Sequence, residues 1–174
     1  MYYHASKKQG LKVLQPHIST HEKAYVYAIQ NRVTAICFGA PKDDFDLLTD
    51  EVDGKPVLYE CYPDALSKVY GGKSCSLYTV SEDGFLHNRT GWDSELVSET
   101  PVDVVGEELI PDIYDYLMRA ARRGECELVR YSPDEKYVKM LREELTERIA
   151  AFGISEEQIC EDERFRLYLS ELLK

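Results

Sequence analysis

Apolar residues recur in two different rhythms along this chain, and the change from one to the other falls near residue 106. Before it, short runs such as YYHAS, AYVYAI and CSLYTV concentrate β-branched and aromatic side chains between Gly, Pro and Asp turns. A strand sends successive side chains to opposite faces, and these residue types suit a pleated, half-buried surface. After it, apolar residues fall three and four apart, at Ile110, Ile113, Leu117 and Ala121, then at Val138, Leu141, Leu145, Ile149 and Phe152. That is the spacing of an amphipathic helix. Strands gathered first and helices gathered last predict an α+β fold: a curved or split, mainly antiparallel sheet with helices concentrated in the C-terminal third, and not an alternating parallel fold.

Strands are expected at Met1–Ala5, Leu11–Leu14, Ala24–Ile29, Lys55–Tyr62 behind the Asp53-Gly54 turn, Glu95–Ser98, Val102–Val105 and Glu125–Tyr131. Ser74–Ser81 and Phe85–Asn88 read as a hairpin about Glu82-Asp83-Gly84. Short helices are expected at Arg32–Phe38, capped by Asn31, and within Pro63–Tyr70. Longer ones are expected at Gly106–Arg123 and from the Ser132-Pro133-Asp134-Glu135 cap to Gly153. Ser155–Gln158 reads as a second capping box, and Phe165, Tyr168, Leu169 and Leu172 mark a final amphipathic segment. The acidic stretch DDFDLLTDEVD, Asp43 to Asp53, reads as a solvated, mobile excursion. At 174 residues one structural domain is the default, divided into a mixed α+β part at 1–131 and a helical tail at 132–174 packed on it.

Charge and cysteine usage exclude several classes. A net charge of −11 argues against a broad electrostatic grip on nucleic acid. The longest apolar runs are short, such as Val33 to Ala40, where a bilayer span needs about 20 residues. MYYHASKKQG has no apolar stretch of the kind that opens a signal peptide. Five scattered cysteines with no C-x-x-C pair support neither a zinc site nor a disulfide framework; reduced thiols in a cytoplasmic protein are expected. No G-x-G-x-x-G, H-E-x-x-H or G-x-S-x-G occurs. Gly71-Gly72-Lys73-Ser74 echoes the end of a phosphate loop without the glycine that opens one, and reads as a turn.

Three separated stretches carry the sharper expectation: His4-Ala5-Ser6, then Tyr25-Val26-Tyr27-Ala28 with Thr34 on the helix that follows, then Ser98-Glu99-Thr100 before the aliphatic alternation Val102-Asp103-Val104. Their order and texture resemble the ADP-ribosyltransferase fold of the diphtheria-toxin and poly(ADP-ribose) polymerase branch, which NAD-using RNA phosphotransferases share. The resemblance covers roughly the first 105 residues. Ala5 stands where the polymerase branch has Gly, and Cys37-Phe38 stands where the family has a second aromatic hydroxyl.

The resemblance implies cleavage of the nicotinamide–ribose bond of NAD, with transfer to an acceptor it does not name. Such a reaction passes through an oxocarbenium-like state, which a carboxylate stabilises; the resemblance gives that role to Glu99. It makes His4 a donor to the other ribose, Ala5 a backbone contact to nicotinamide, Ser6 and Thr34 hydroxyl contacts, and Tyr25 or Tyr27 a stacking face. Trp92 would wall the pocket. The ligand is then a small-molecule nucleotide, with no metal.

Each of these residues also has a plainer account. His4 can be a satisfied core histidine, and 13 tyrosines make a Tyr25/Tyr27 pair common by composition. Glu99 can be a solvated strand-edge carboxylate, Thr34 a packing or capping residue, and Trp92 a loop anchor. His17 and His21, in the polar loop, can face a ligand mouth or solvent, and solvent is the favoured reading. Arg32, Arg119, Arg122 and Arg123 read as helix-surface charges. A second function therefore stands beside the first: a non-catalytic interaction or regulatory module on the same scaffold, using the helical tail for a protein partner or a second copy.

Overall fold

A computed structural model of the chain describes residues 1–19, 23–43 and 45–169. His21, Asp44 and Leu172 lie outside the described residues. In chain order the elements are β1 (Tyr2–Ser6), β2 (Val13–Leu14), β3 (Val26–Ile29), α1 (Arg32–Cys37), β4 (Leu47–Val52), β5 (Lys55–Glu60), α2 (Ala65–Tyr70), β6 (Cys75–Val80), β7 (Glu95–Ser98), β8 (Val102–Ile110), α3 (Ile113–Arg122), β9 (Glu127–Val129), α4 (Glu135–Phe152) and α5 (Glu156–Glu161), followed by a π-helical turn at Phe165–Leu169. The fold is α+β, with a mainly antiparallel six-stranded sheet and helices in the C-terminal part. Among the described residues no helix is long and apolar enough to cross a membrane.

The chain forms two compact units. Unit 1 takes Met1–Pro41 and Tyr70–Cys126; unit 2 takes Lys42–Val69 and Glu127–Lys174. In unit 1 the strand order is β2-β8-β6-β1-β3-β7, antiparallel at every step. Register decides the faces. Tyr2 opposite Val80 and His4 opposite Tyr78, with Ala28 opposite Leu96, put one set of side chains on a common side. There Tyr2, Leu14, Val26, Ala28, Tyr78, Val80, Phe85, Leu96 and Val102 close into a core. Helix α1 lies against β1, β3, β6 and α3. It starts where the Asn31 side chain accepts from the amides of Val33 and Thr34. Ile113 and Leu117 of α3 are fully buried, worth about 1.5–3 kcal/mol each in area removed from water.

Unit 2 is built on the β4–β5 hairpin. Asp53 and Gly54 both take positive φ, 50° and 74°, as the two-residue turn that matches strand twist requires. Strand β9 adds parallel to β5. Asp134 caps α4 and Gly153, in the left-handed region, ends it; Ser155 and Gln158 form the capping box of α5. Leu141 and Leu145 are the buried stripe of α4, while Phe152 is exposed.

Several expectations are corrected. Within the acidic stretch, Leu47–Val52 is a paired strand and not a solvated excursion, because Phe45, Leu47 and Leu48 are buried anchors among the acids. Arg164 binds Asp43 at 2.6 and 2.7 Å and reaches Asp46 at 2.9 Å. Burial works against ionisation of Asp43, but the Arg164 bonds win and hold its carboxyl below the usual range. Residues 106–110 are strand, not helix: they pair with β6, and α3 begins only after Pro111, where Asp112 accepts from the Asp115 amide at 2.8 Å. Ile110 fits both rhythms, which is why the helical period read too far back. Phe85–Asn88 does not pair with β6; Leu86 bridges Val97 of β7 while Phe85 turns into the core. The cap of α4 is Asp134, two residues beyond Ser132, whose hydroxyl donates to it.

Gly39 ends the α1 segment against β6. A Cβ there would lie 2.5 Å from Cys75 Sγ and 2.6 Å from Cys75 Cβ, so backbone must shift to admit it. Gly39→Ala is expected to lower stability by about 1–3 kcal/mol in a urea titration, as overpacking does. An unchanged midpoint would show that α1 and β6 are free to move apart.

Candidate functional site

Strand β1 pairs with β6 along its whole length, from Tyr2 opposite Val80 to Ser6 opposite Ser76. Its pairing with β3 is confined to Tyr3 opposite Ile29. Beyond that pair a side chain takes over from the ladder: His4 Nδ1 lies 2.8 Å from the Tyr27 carbonyl oxygen. A carbonyl only accepts, so Nδ1 carries the proton and Nε2 holds the lone pair. Burial pushes the His4 pKa below 6.5, the Tyr27 bond raises it, and nearby His17 lowers it, with a net lowering. The ring is therefore neutral at pH 7, and Nε2 has no hydrogen-bond partner among the described residues.

A cleft of about 480 Å³ opens at this parting, lined among others by His4, Ser6, Lys8, Leu11, His17 and Val26. One wall is held from β8. Glu107 Oε1 accepts from the Gly10 amide at 2.9 Å, Ser76 Oγ at 2.7 Å and Tyr78 OH at 3.1 Å. Tyr78 OH also lies 2.6 Å from the Lys8 carbonyl and accepts from the Leu11 amide at 3.3 Å. Three donors, the Gly10 amide foremost, keep the Glu107 carboxyl below its ordinary pKa.

The residues singled out by sequence fall into three groups. His4 and Ser6 line the cleft. Tyr25, Tyr27 and Glu99 belong to a chain of contacts that reaches it. Tyr25 exchanges backbone bonds with His17 at 3.0 and 3.1 Å, and its ring meets the edge of Tyr27 at 6.0 Å. Tyr27 meets His17 at 6.0 Å. Lys23 Nζ lies 5.8 Å from the Tyr25 ring centroid and pairs with Glu99 at 2.5 Å. Glu99 itself follows the end of β7, is 45% exposed and is not among the cleft residues. The third group stands away from the cleft lining. Ala5, opposite Leu77, faces the other side of β1 from His4. Thr34 is 2% exposed, with a hydroxyl that makes no hydrogen bond among the described residues. Trp92 packs on Phe38, ring centroids 5.9 Å apart.

Lys8, Lys23 and Glu107 are the participants that sequence reasoning missed, and for His17 it favoured solvent over the ligand mouth. His17 is exposed, as expected, yet it lines the cleft. Glu107 was hidden by the helical reading of residues 106–110; read as a strand, that stretch puts it opposite Tyr78. The buried thiols offer no nucleophile here: burial pushes Cys75 and Cys126 up to about 11. Among the described residues no cluster of His, Cys, Asp and Glu could hold a metal ion. No protein-family model matches the chain, and neither a curated protein nor a solved structure matches it.

Glu107 gives the cleft wall an acid-sensitive anchor. A carboxyl with a lowered folded pKa stabilises the fold above its unfolded value, and the contribution is lost as pH falls through the folded value. Protection of the Gly10 amide from hydrogen exchange, taken relative to the intrinsic rate at each pH, is therefore expected to be high at neutral pH and to fall in acid. In Glu107→Gln that protection should already be several-fold lower at neutral pH and lose its acid step. Equal protection of Gly10 in the two proteins at pH 7 would contradict the anchoring role.

Proposed function

We propose that the chain binds NAD in the cleft beside His4 and acts as an ADP-ribosyltransferase-like protein, breaking the nicotinamide–ribose bond, releasing nicotinamide and joining the ADP-ribosyl group to a nucleophilic acceptor or to water. The observation that carries this is an imidazole whose Nδ1 is fixed by a backbone carbonyl and whose Nε2, at a cleft, has no hydrogen-bond partner among the described residues. A lone pair so held takes a hydrogen bond from a hydroxyl, the group a ribose presents, and repels a phosphate oxygen, so His4 meets the ribose as an acceptor and not as the donor that the resemblance implies. Lys8 supplies positive charge on the same lining, which suits a pyrophosphate. The volume lies within the range of about 300–1,000 Å³ usual for ligand sites. Tyr25 and Tyr27 sit one contact from the cleft, where an aromatic face for nicotinamide is wanted.

Glu99 is the carboxylate for the developing oxocarbenium charge. To act it must exchange its Lys23 partner for a ribose hydroxyl. That ion pair favours a second reading: a module that binds a nucleotide and does not cleave it, with Glu99 serving only to hold Lys23.

Calorimetry and thermal unfolding with NAD separate these outcomes. Binding to the native state raises the unfolding midpoint; no heat and no shift at millimolar NAD would remove the proposal. His4→Ala should abolish the shift while costing about 0.5–1.5 kcal/mol for the lost Tyr27 bond. NAD affinity should be flat above pH 7 and weaken below the ordinary histidine value of 6.5, because a protonated Nε2 can no longer accept. Glu99→Gln should keep NAD binding and lose nicotinamide release. Binding without release in the wild-type chain would establish the second reading.

A further inference from the structure

The β2 edge of the sheet in unit 1 is two residues long, and the strand behind it, β8, runs for nine. β2 pairs with β8 at Val102 and Asp103, and the Val104 amide donates to the Lys12 carbonyl at 2.9 Å. Beyond Val104 no strand lies on that side of β8 among the described residues, while β6 pairs with its other side as far as Ile110. Alternate residues of an antiparallel strand turn their amide and carbonyl away from a given neighbour. Residues 105–109 therefore offer unpaired backbone along about 17 Å. Natural edges are guarded by charge, by bulges or by short length, and this one is bulged between Val104 and Gly106. Guarding does not call for the two apolar side chains it also shows, Val105 at 62% and Leu109 at 53% exposure. Register sorts the rest. Glu107 opposite Tyr78 and Leu109 opposite Ser76 share one face, and Glu108 opposite Leu77 lies on the other, where Arg32 pairs with it. The Gly10 amide, Ser76, Tyr78 and the charge of Lys12 keep Glu107 ionised. Its three donors all converge on Oε1, and Oε2 has no hydrogen-bond partner among the described residues.

We infer that residues 105–109 receive an extended segment of another protein as an added strand, with a lysine or arginine opposite Glu107 and apolar residues two positions to either side of it. Main-chain bonds to the open amides and carbonyls supply affinity, and alternate side chains supply specificity. The cation reaches Glu107 Oε2, and one apolar neighbour lies on Leu109. The other face of the segment meets Gly106, which has no side chain, and the Arg32–Glu108 pair, whose charges already match, so small polar residues fit there. Charge selects the occupant. A second copy pairing edge to edge would set the β8 carboxylates against each other and bring together two chains of net charge −11. A basic segment is drawn to the same surface. None of residues 105–109 lines the cleft beside His4, so this surface is separate from the NAD site.

The test uses the full chain and a fluorescently labelled peptide, Val-Thr-Lys-Thr-Val, read by anisotropy, with amide chemical shifts to place it. Beside it go a Val-Thr-Glu-Thr-Val counterpart and two forms N-methylated at alternate residues, one set each, which lose the donors along one edge and keep the charge. The lysine peptide should bind at millimolar concentration or below and shift the amides of residues 105–109. The glutamate peptide should bind at least about fivefold more weakly, since attraction becomes repulsion. One N-methylated form should lose binding and the other keep it, because an added strand turns only alternate amides toward the edge. Leu109→Lys, at an exposed position, should weaken the lysine peptide several-fold. No binding at millimolar peptide overturns the inference. So does equal binding of the glutamate peptide, and so does undiminished binding of both N-methylated forms, which would leave charge attraction alone. Shifts confined to residues outside 105–109 overturn it too. Light scattering that shows dimers abolished by Leu109→Lys would give the edge to a second copy and also overturn it. The peptide comparisons use the unaltered chain and do not depend on the variant folding.

Discussion

Between β1 and β3 the sheet of unit 1 exchanges its ladder for a side chain. A strand's amides and carbonyls need partners once they leave water, and an unmet buried group costs about 1–3 kcal/mol. On its β6 side β1 meets that need along its length; on its β3 side the ladder is confined to Tyr3 and Ile29. His4 answers the Tyr27 carbonyl, and the parting it bridges is the cleft. The segment from Lys8 to His17 can then lie across the opening as a wall, held by Glu107 of β8 and Tyr78 of β6. His4 is thus a structural histidine and a cleft histidine at once, one nitrogen serving each role. A continuous β1–β3 ladder would leave neither the space nor the reason for its ring orientation.

Unit 2 is held in a different way. With 32 acidic residues against 21 Lys and Arg, carboxylates outnumber cations, and cations that meet several acceptors mark the joints. Arg164 joins Asp43, Asp46 and Asp162, beside the Phe45–Phe165 contact. Lys68 lies over the rings of Tyr62 and Tyr168, which stack at 5.0 Å. Glu60, 2% exposed, is met by Arg130 and by the amides of Leu66 and Tyr131. Removing Arg130 takes the charge partner from a buried carboxylate, at a cost of about 1–3 kcal/mol. An exposed pair such as Lys139–Glu143 contributes at most about 1 kcal/mol.

Local rules account for what was legible in the sequence. YYHAS, VYAI and CSLYTV read as strands because their period and residue types are local properties. Asn31, Gly153 and the Ser155–Gln158 box read as helix ends because a cap is decided within four residues. Ile110 shows the limit: an apolar residue followed by Pro111 fits the end of a strand as well as the body of a helix, and only pairing with Cys75 decides. The site was legible to the same degree. His4 and Ser6 could be singled out because they lie on one regular strand. Lys8, His17 and Glu107 reach the cleft through loop closure and strand register across distant parts of the chain, which no local pattern encodes. The acidic run at 43–53 misled because charge was read without its distant partner, Arg164.

Unit 2 is discontinuous in the chain, and this bears on how a ribosome delivers it. The β4–β5 hairpin emerges early, but the parallel neighbour of β5 is β9, whose first residue follows the last of β5 by the whole of α2, β6, β7, β8 and α3. Until Glu127–Val129 appears, β5 presents Val57, Leu58 and Tyr59 with an unpaired backbone edge, the kind of surface on which chains associate wrongly. Closing so long a loop is also slow compared with forming a hairpin. The charges on Asp50, Glu51 and Asp53, at the hairpin's exposed end, then gain a meaning that the finished fold does not display. Like charges there repel a second copy of the same hairpin end while the β5 edge is still unpaired.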